Sequence, residues 1–520
     1  MQAQEIESLP SKREVPDIDE KPRQSHGQIL KSSGLIGSSQ LINVGFRIVR
    51  TKAMALLLGP SGVGLLSLYS SISDTATIFA GMGLNSSGVR QIAEAVATGD
   101  TQRIARTVIV LRRVALVLGV VGALLLIALC RPLSRSTFGD DLHAGQITLL
   151  SLAVLFGAIT AAQVALVQGM RRIADLARLS VLGALFGTIF SVTIVYLLGQ
   201  EGVVPSLVCV AAMGIATSWW YARKIKVEQV TMTWGEVANE ASELLKLGLA
   251  MVAGAMLNVL AAYTVRILIR QNVGMAAIGF YQAAWVLGGF YVDFILQAMG
   301  ADFYPRLTAV ANRNSECNRL VNEQTEVGLL LAGPGLLATL TFAPTVISLL
   351  YSAQFQPAVG IFRWICLGMM LRVATWPMGF IQLAKGRRHI FLGLQFVASV
   401  LQVGLVWFGL KIFGLIGAGI AFFVFFLSHF AIVRWVAGRV SGFCWSTANR
   451  RLGATFALLS AAVFGSWYVL PRALSMNFGA VVTFCAGIYS LKTLFSFVPM
   501  QRFPPAMQKL ARILHLAPAE

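Results

Sequence analysis

Apolar stretches about as long as a membrane crossing recur along nearly the whole chain. A spanning helix needs roughly 20 mostly apolar residues, and 56% of the 520 residues are hydrophobic while only 12% are charged. Soluble domains carry about a quarter charged residues. The stretches are continuous rather than alternating, and in lipid only helices satisfy their own backbone hydrogen bonds without closing a barrel. The sequence therefore predicts an all-α integral membrane protein with about fourteen transmembrane helices.

A repeat groups most of these spans into two halves. Matched positions recur at a constant offset of about 215 residues. They are 41–44 (LINV) with 256–259 (MLNV), Gly59 with Gly274, and Gly64 with Gly279. Each copy contains six predicted spans, an even number, so the two copies point the same way through the membrane, as in a parallel repeat. This pattern predicts two six-helix bundles with two additional helices at the C-terminal end.

Composition along the chain sets the expected domain boundaries. Residues 1–28 are polar with mixed charge and several prolines, a composition that cannot bury a core. Trp234 and the acidic series that follows it predict an amphipathic helix at the membrane surface. The predicted parts are a disordered cytoplasmic tail at 1–28, an N-terminal bundle at 29–225, an amphipathic cytoplasmic linker at 226–245, a C-terminal bundle at 246–440, two additional transmembrane helices at 450–500 and a cytoplasmic tail at 501–520.

Positive charge is distributed unevenly between the loops. The net charge is +19, and the 42 lysines and arginines fall mostly in the tails and in one alternate set of loops, roughly 30 against about six in the other set. Basic loops stay on the cytoplasmic side. We therefore expect a multi-pass protein of the bacterial inner membrane with both termini in the cytoplasm. Nucleic acid is not expected as a partner, because no basic face is interleaved with stacking aromatic residues.

Charged residues inside the predicted spans are the strongest indication of a functional site. An arginine at mid-bilayer costs at least about 2.5–3.5 kcal/mol, so it usually faces a cavity or a partner. Guanidinium groups keep their charge and offer paired donors, which suits a diphosphate. The polar and charged residues line up at helical spacing along several spans. The repeat arranges these spans around the junction of the two halves. The candidate substrate-binding residues are Asn43, Arg47, Arg50, Asn258, Arg266, Arg270 and Arg372.

Two aspartates also lie within predicted spans. Asp74 and Asp293 are candidates for coupling transport to a proton or sodium gradient, because a membrane carboxylate is a functional candidate by default. The alternative is structural: Arg50 would pair with Asp74, and Arg266 with Asp293, to brace helices. No metal site, catalytic residue or cofactor is predicted, and the six cysteines show no CxxC spacing.

Three segments resemble a known transporter family. They are 45–72 (GFRIVRTKAMALLLGPSGVGLLSLYSSI), 349–373 (LLYSAQFQPAVGIFRWICLGMMLRV) and 413–430 (FGLIGAGIAFFVFFLSHF). They are similar to the first hairpin, the connection between spans 9 and 10, and span 12 of the polysaccharide transport family. That family belongs to the multidrug/oligosaccharidyl-lipid/polysaccharide exporter (MOP) superfamily. The closest likeness is to its O-antigen and common-antigen flippases.

The resemblance implies a V-shaped pair of bundles that works by alternating access. The implied substrate is an undecaprenyl-diphosphate-linked oligosaccharide, moved from the cytoplasmic to the periplasmic leaflet for surface polysaccharide synthesis. Membrane lipids, a polysaccharide polymerase and a chain-length regulator are the implied partners. The family's basic cavity residues are carried over to Arg50 first, and then to Arg47, Arg266 and Arg270.

Other functions compete with this interpretation. Another exporter of the superfamily, for drugs or for a lipid-linked peptidoglycan precursor, would share the same span pattern. A membrane polymerase usually needs a large external loop with catalytic groups. Here the longest such connection, 131–145, offers only Asp140, Asp141 and His143, so the polymerase is the weaker alternative.

The charge distribution generates a topology prediction. Reporter fusions at Gly139 and at Arg387 should report opposite compartments, with Arg387 in the cytoplasm, because the two positions lie on loops of opposite charge bias. The same compartment for both fusions would contradict the predicted orientation.

Overall fold

The computed structural model describes residues 21–228 and 230–497, with side chains from those ranges except at 21–38, 41, 250 and 301. The first eight helices in this part are α1 (Lys21–Gly81), α2 (Leu84–Thr98), α3 (Thr101–Ala128), α4 (Cys130–Phe138), α5 (Ala144–Gly169), α6 (Ile173–Leu198), α7 (Val203–Ala222) and α8 (Trp234–Val273). The remaining helices are α9 (Met275–Ala309), α10 (Asn314–Thr341), α11 (Ala343–Leu350), α12 (Ala358–Ala384), α13 (Arg388–Phe413), α14 (Leu415–Ser441), α15 (Thr447–Val469) and α16 (Arg472–Phe497).

The predicted all-α membrane fold is confirmed. The described residues contain 11 helices long and apolar enough to cross a membrane, or up to 12 if α10 and α11, which are bent by 82°, form one span. Two of the 11, Ile42–Gly81 and Ile173–Ala222, have 40 and 50 residues. A helix of 40 residues is about 60 Å long, roughly twice the hydrocarbon thickness of a bilayer. The predicted total of fourteen spans stays a prediction, because it depends on how these two long segments are divided.

The first long segment reverses direction at Gly59. This residue has φ 64° and ψ −174°, a conformation that glycine adopts readily, and Pro60 follows it as the first residue of a new helical segment. Arg50 and Asp74 line one cavity, although along a straight helix they would lie about 36 Å apart. Gly274 repeats this geometry between α8 and α9, with φ 115° and ψ −179°.

The two halves meet through positions that the repeat relates. A Cβ on Gly64 would lie 2.3 Å from the carbonyl oxygen of Met275, and a Cβ on Gly279 would lie 2.0 Å from that of Pro60. Gly279 follows Gly64, and Met275 follows Pro60, at the repeat offset, so the two contacts are reciprocal. This is the geometry of a two-fold axis that relates the halves. We call the end of the bundle that carries Gly59 and Gly274 the turn end.

The structure describes the N-terminal helix from within the predicted tail. α1 is described from Lys21 onward, and the predicted tail at 1–28 stays a prediction. Residues 1–20 and the predicted tail at 501–520 lie outside the described residues.

The predicted linker helix is not a separate element. α8 starts at Trp234 and continues for 40 residues to Val273, through the predicted boundary at 245. Thr233 caps this helix, and hydrogen bonds from the backbone N–H and hydroxyl of Thr233 lower the pKa of Glu236. Arg106 of α3 donates to Glu240 at 2.8 Å. The acidic series therefore contacts the N-terminal half as well as solvent.

The two additional helices pack on α10. Asn449, fully buried near the start of α15, donates to the backbone and side-chain oxygens of Asn322 at 2.9 Å. Further along, Phe456 packs directly on Gly333. A Cβ added to Gly333 would lie only 2.3 Å from the nearest ring atom of Phe456. Small residues and polar pairs of this kind are the usual means of helix association in membranes, where lipid is as apolar as the side chains.

The close approach at the turn end generates a stability prediction. Gly279→Ala should lower the free energy of unfolding by at least about 1–3 kcal/mol, because the new methyl group overlaps the Pro60 carbonyl. Thermal unfolding of the purified protein measures the change. Gly465→Ala in α15 is the matched control, since nothing lies within 4 Å of its Cβ position. Equal melting temperatures for the two variants would contradict the predicted contact.

Candidate functional site

A cavity of about 300 Å³ lies between the two halves. Both segments of α1 that flank Gly59 contribute to its walls, together with α8, α9 and Tyr351. Its polar lining residues are Arg47, Arg50, Thr51, Ser67, Ser70, Ser71, Asp74, Arg266, Gln282 and Tyr351. Three arginines against one aspartate give this cavity, the cationic cavity, an excess of positive charge.

Arg266 is held in place by hydrogen bonds to both halves. Its Nε donates to Ser67 Oγ and its Nη2 to Gln282 Oε1, both at 2.9 Å, while Nη1 donates to the carbonyl oxygen of Ala262 at 2.9 Å. Ser67 Oγ in turn donates to Gln282 Oε1 at 2.9 Å. Ser67 and Gln282 are 215 residues apart, so they are equivalent positions of the repeat. The arginine therefore braces the junction next to the two-fold axis.

Arg50 differs from Arg266 in its surroundings. It lines the cavity as a half-buried side chain, and Arg47 is exposed one turn away. Asp74 also faces the cavity with an exposed side chain. In the part of the chain that the structure describes, no ion pair joins Arg50 to Asp74, so the first predicted brace does not form. Arg50 thus presents its donors to the cavity, where an anion can accept them.

The alternative pairing of Arg266 with Asp293 does not form either. Asp293 pairs with Arg372 of α12, with 2.7 Å between Oδ1 and Nη2. Arg266 uses its donors on Ser67, Gln282 and the backbone instead. Helical spacing places a charge on a face of its helix but does not identify the facing helix.

A larger cavity of about 740 Å³ lies within the C-terminal half. Tryptophan and phenylalanine side chains form the largest group in its wall, and polar groups lie between them. The lining residues are Asn258, Trp285, Arg372, Thr375, Trp376, Phe380, Phe391, Gln395, Gln402, Phe422, Phe425, Phe426 and His429, with smaller apolar residues between them. This aromatic cavity adjoins the cationic cavity: Ala262 lines the former and Arg266, one helical turn further along α8, lines the latter.

The predicted site residues therefore fall into separate groups. Arg47, Arg50 and Arg266 share the cationic cavity, while Asn258 and Arg372 line the aromatic cavity. The two remaining candidates line neither. Arg270 lies against the turn after α4, where a Cβ on Gly139 would be 3.0 Å from its Nη2. Asn43 buries its Oδ1 without a described hydrogen-bond partner.

Ser67 and Gln282 lie on polar faces of predicted spans at the junction of the halves, but they were not among the candidate substrate-binding residues. They are the residues that hold Arg266, and they face each other across the junction. The signal was available, since the offset between them equals the offset of the matched glycines. Positions close to a two-fold axis contact their own repeat equivalents, and this rule would have selected the pair.

Comparison with known proteins agrees with this architecture. A family described as polysaccharide biosynthesis protein matches residues 53–360, more than half of the chain. The chain belongs to this family. The match covers the second segment of α1, with most of the cationic cavity, and ends at the start of α12.

Similar proteins and structures extend the comparison beyond the family segment. The lipid III flippase of Escherichia coli (strain K12) is 21% identical over 407 residues, 78% of this chain and 97% of the relative. A multidrug resistance transporter of the MATE family and MOP superfamily, in an inward-facing conformation, has a TM-score of 0.66 at 16% identity, over 77% and 96% of the two chains. Lipid II flippase MurJ, in an inward closed conformation, has a TM-score of 0.65 at 12% identity, over 89% and 99%. The fold is that of MOP superfamily transporters.

The contrast between Arg266 and Arg50 generates a prediction. Arg266→Met should lower the free energy of unfolding by at least about 1.5 kcal/mol, because it leaves buried Ser67 and half-buried Gln282 without their charged donor. Arg50→Met, the matched control in the same cavity, should leave thermal stability unchanged or raised, since it removes a membrane charge with no described partner. An equal loss of stability in both variants would show that Arg50 is also a brace.

Proposed function

We propose that this protein is a flippase that moves an oligosaccharide linked to a polyprenyl diphosphate, such as undecaprenyl diphosphate, across the bacterial inner membrane. The observation that carries the proposal is the cationic cavity, which places Arg50 and Arg47 at the junction of two repeat-related halves. Membership of a polysaccharide biosynthesis family supports it. The name of the 21% identical relative, lipid III flippase, points to the same class of substrate.

The charge of the cavity suits the diphosphate. Two linked phosphates cannot cross a bilayer without cationic partners, because desolvating them costs far more than any single contact returns. Arg50 offers a planar pair of donors for phosphate oxygens. Arg47, exposed one turn away, offers a second guanidinium. Asp74 limits the positive charge, so the anion can also leave.

The aromatic cavity suits the sugar. Pyranose rings have apolar faces that stack on aromatic rings, and their hydroxyls hydrogen-bond to amide and charged groups. Trp285 and Trp376 supply rings, while Gln395, Gln402 and Arg372 supply polar contacts. The two cavities adjoin along α8 and α9, so one ligand can place its diphosphate in the first and its sugars in the second.

The closed turn end suits alternating access. Backbone contacts at Gly64 and Gly279 seal the halves at this end, which we assign to the periplasm on the basis of loop charge. The substrate would enter from the opposite, cytoplasmic side, and transport would require these contacts to separate.

Asp74 is the better candidate for ion coupling. Asp293 is held by Arg372 at 2.7 Å, whereas Asp74 is exposed to the cavity beside the proposed anion site. Binding of a proton or sodium ion there would change the charge that the diphosphate meets. If Asp74→Asn transports normally in both an intact and a collapsed ion gradient, Asp74 has no coupling role.

The proposed biological role is surface polysaccharide synthesis, for O-antigen, exopolysaccharide or common antigen, beside a polymerase and a chain-length regulator. Export of a peptidoglycan lipid precursor is the second candidate, because the fold matches lipid II flippase MurJ over 89% of this chain and a precursor of that class also carries a diphosphate. Chemical analysis of the intermediate that accumulates in a deletion strain separates the two.

Arg50 is the residue that tests this proposal. Arg50→Ala should lower transport at least about tenfold, since one charge-assisted hydrogen bond contributes about 1.5–3 kcal/mol. Lipid-linked oligosaccharide should then accumulate on the cytoplasmic leaflet at normal protein level. Arg50→Lys keeps the charge but loses the paired geometry, so it should retain partial activity.

A double variant supplies the control for a structural role of Arg50. If Arg50 only balanced Asp74, removing both charges by Arg50→Ala with Asp74→Ala would restore transport. Wild-type glycan display by that double variant would contradict the proposed role of Arg50.

A further inference from the structure

Two arginines lie where the additional helices meet the C-terminal half. Arg363 is in the second turn of α12, and its guanidinium carbon lies 3.7 Å from the ring centre of Trp467 near the end of α15. Arg472 is the first residue of α16, five residues after Trp467 in the chain. Both side chains are cationic, so the place where α12 meets the additional helices attracts an anion.

The neighbouring protein groups do not supply that anion. Arg363 Nε and Trp467 Nε1 are both buried without a hydrogen-bond partner among the described residues. In the same part of the chain, no aspartate or glutamate forms an ion pair with Arg363 or Arg472. A buried donor without an acceptor costs about 1–3 kcal/mol, and such groups in folded proteins usually mark a missing water, ion or ligand.

The position of the cluster indicates which anion is available. The turn at Gly59 touches Gln354, just before α12 begins, so the start of α12 and the Arg363 cluster lie at the turn end. Tyr468 beside the cluster is 72% exposed. Tryptophan and tyrosine concentrate at the membrane–water interface. At that depth the abundant anion is the phosphate of a phospholipid.

We propose that Arg363, Trp467 and Arg472 form a binding site for the phosphate of an anionic phospholipid at the turn end. The guanidinium of Arg363, which stacks on the Trp467 ring, binds the phosphate oxygens, and Arg472 at the start of α16 neutralises the remaining charge. The lipid links α12 to α15 and α16, which gives the two additional helices a role in anchoring the C-terminal half to its leaflet. The site is separate from both cavities of the proposed transport path.

Lipid binding by the purified full-length protein tests this site. Thermal unfolding is followed during titration with phosphatidylglycerol, with phosphatidylcholine and with inorganic phosphate, and bound lipid is counted by native mass spectrometry. Arg363→Gln and Arg472→Gln should each weaken phosphatidylglycerol binding about tenfold. Arg363→Lys should weaken it less. The matched control is Arg135→Gln, which should bind phosphatidylglycerol as the wild type does. Arg135 is an exposed arginine near the same end of the bundle, and it pairs with Asp141 at 2.7 Å.

Several outcomes would overturn the proposal. Unchanged phosphatidylglycerol binding in Arg363→Gln and Arg472→Gln would make the cluster a brace between helices. Equal stabilisation by phosphatidylcholine would exclude selection for an anionic lipid. Equal stabilisation by inorganic phosphate would replace the lipid with a free anion. If Arg363→Gln does not fold, Arg472→Gln decides the question, because Arg472 is exposed.

Discussion

The cost of placing a guanidinium group inside a membrane governs the centre of this protein. An arginine there must have partners or face a polar cavity. Arg266 has partners from both halves, through Ser67 in α1 and Gln282 in α9. Arg50 faces a cavity. Arg266 thus joins the halves, and we propose that Arg50 binds the ligand.

The repeat explains why these groups meet at that point. Gly64 and Gly279 let the two hairpins approach until backbone touches backbone, and one turn further in, Ser67 and Gln282 form a hydrogen bond across the same axis. The symmetry then breaks, because the repeat equivalent of Arg266 is Thr51. A single arginine from the C-terminal half therefore occupies a junction that both halves build. Under alternating access, separating the halves would require breaking hydrogen bonds that involve a charged group, so this junction would contribute to the barrier between states.

Much of this architecture was predictable, because hydropathy and the repeat offset report on properties that are regular along the chain. The all-α membrane fold, the two related halves and the grouping of Arg47, Arg50 and Arg266 followed from span length and helical spacing. Helical spacing does not tell how far along the membrane normal a residue lies, however. Arg270 is one turn beyond Arg266, and its side chain reaches the turn after α4 instead of the cavity. Nor does it identify partners: Asp293 pairs with Arg372 of α12, a contact that depends on how separate helices pack. The continuity of α8 through the predicted linker also depends on a contact between separate helices. Arg106 of α3 donates a hydrogen bond to Glu240 of α8, and the sequence does not reveal this contact.

The central claim is that the cationic cavity recognises a diphosphate, and equilibrium binding to the purified protein tests it most directly. Binding of undecaprenyl diphosphate without an oligosaccharide is compared with that of undecaprenol, which has the same chain but no phosphate, at low and high salt. Our account predicts that the diphosphate ligand binds at least about tenfold more tightly. It also predicts that Arg50→Ala removes this preference, while Arg135→Gln, outside the cavity, retains it. Equal affinity for both ligands in the wild-type protein would contradict the account.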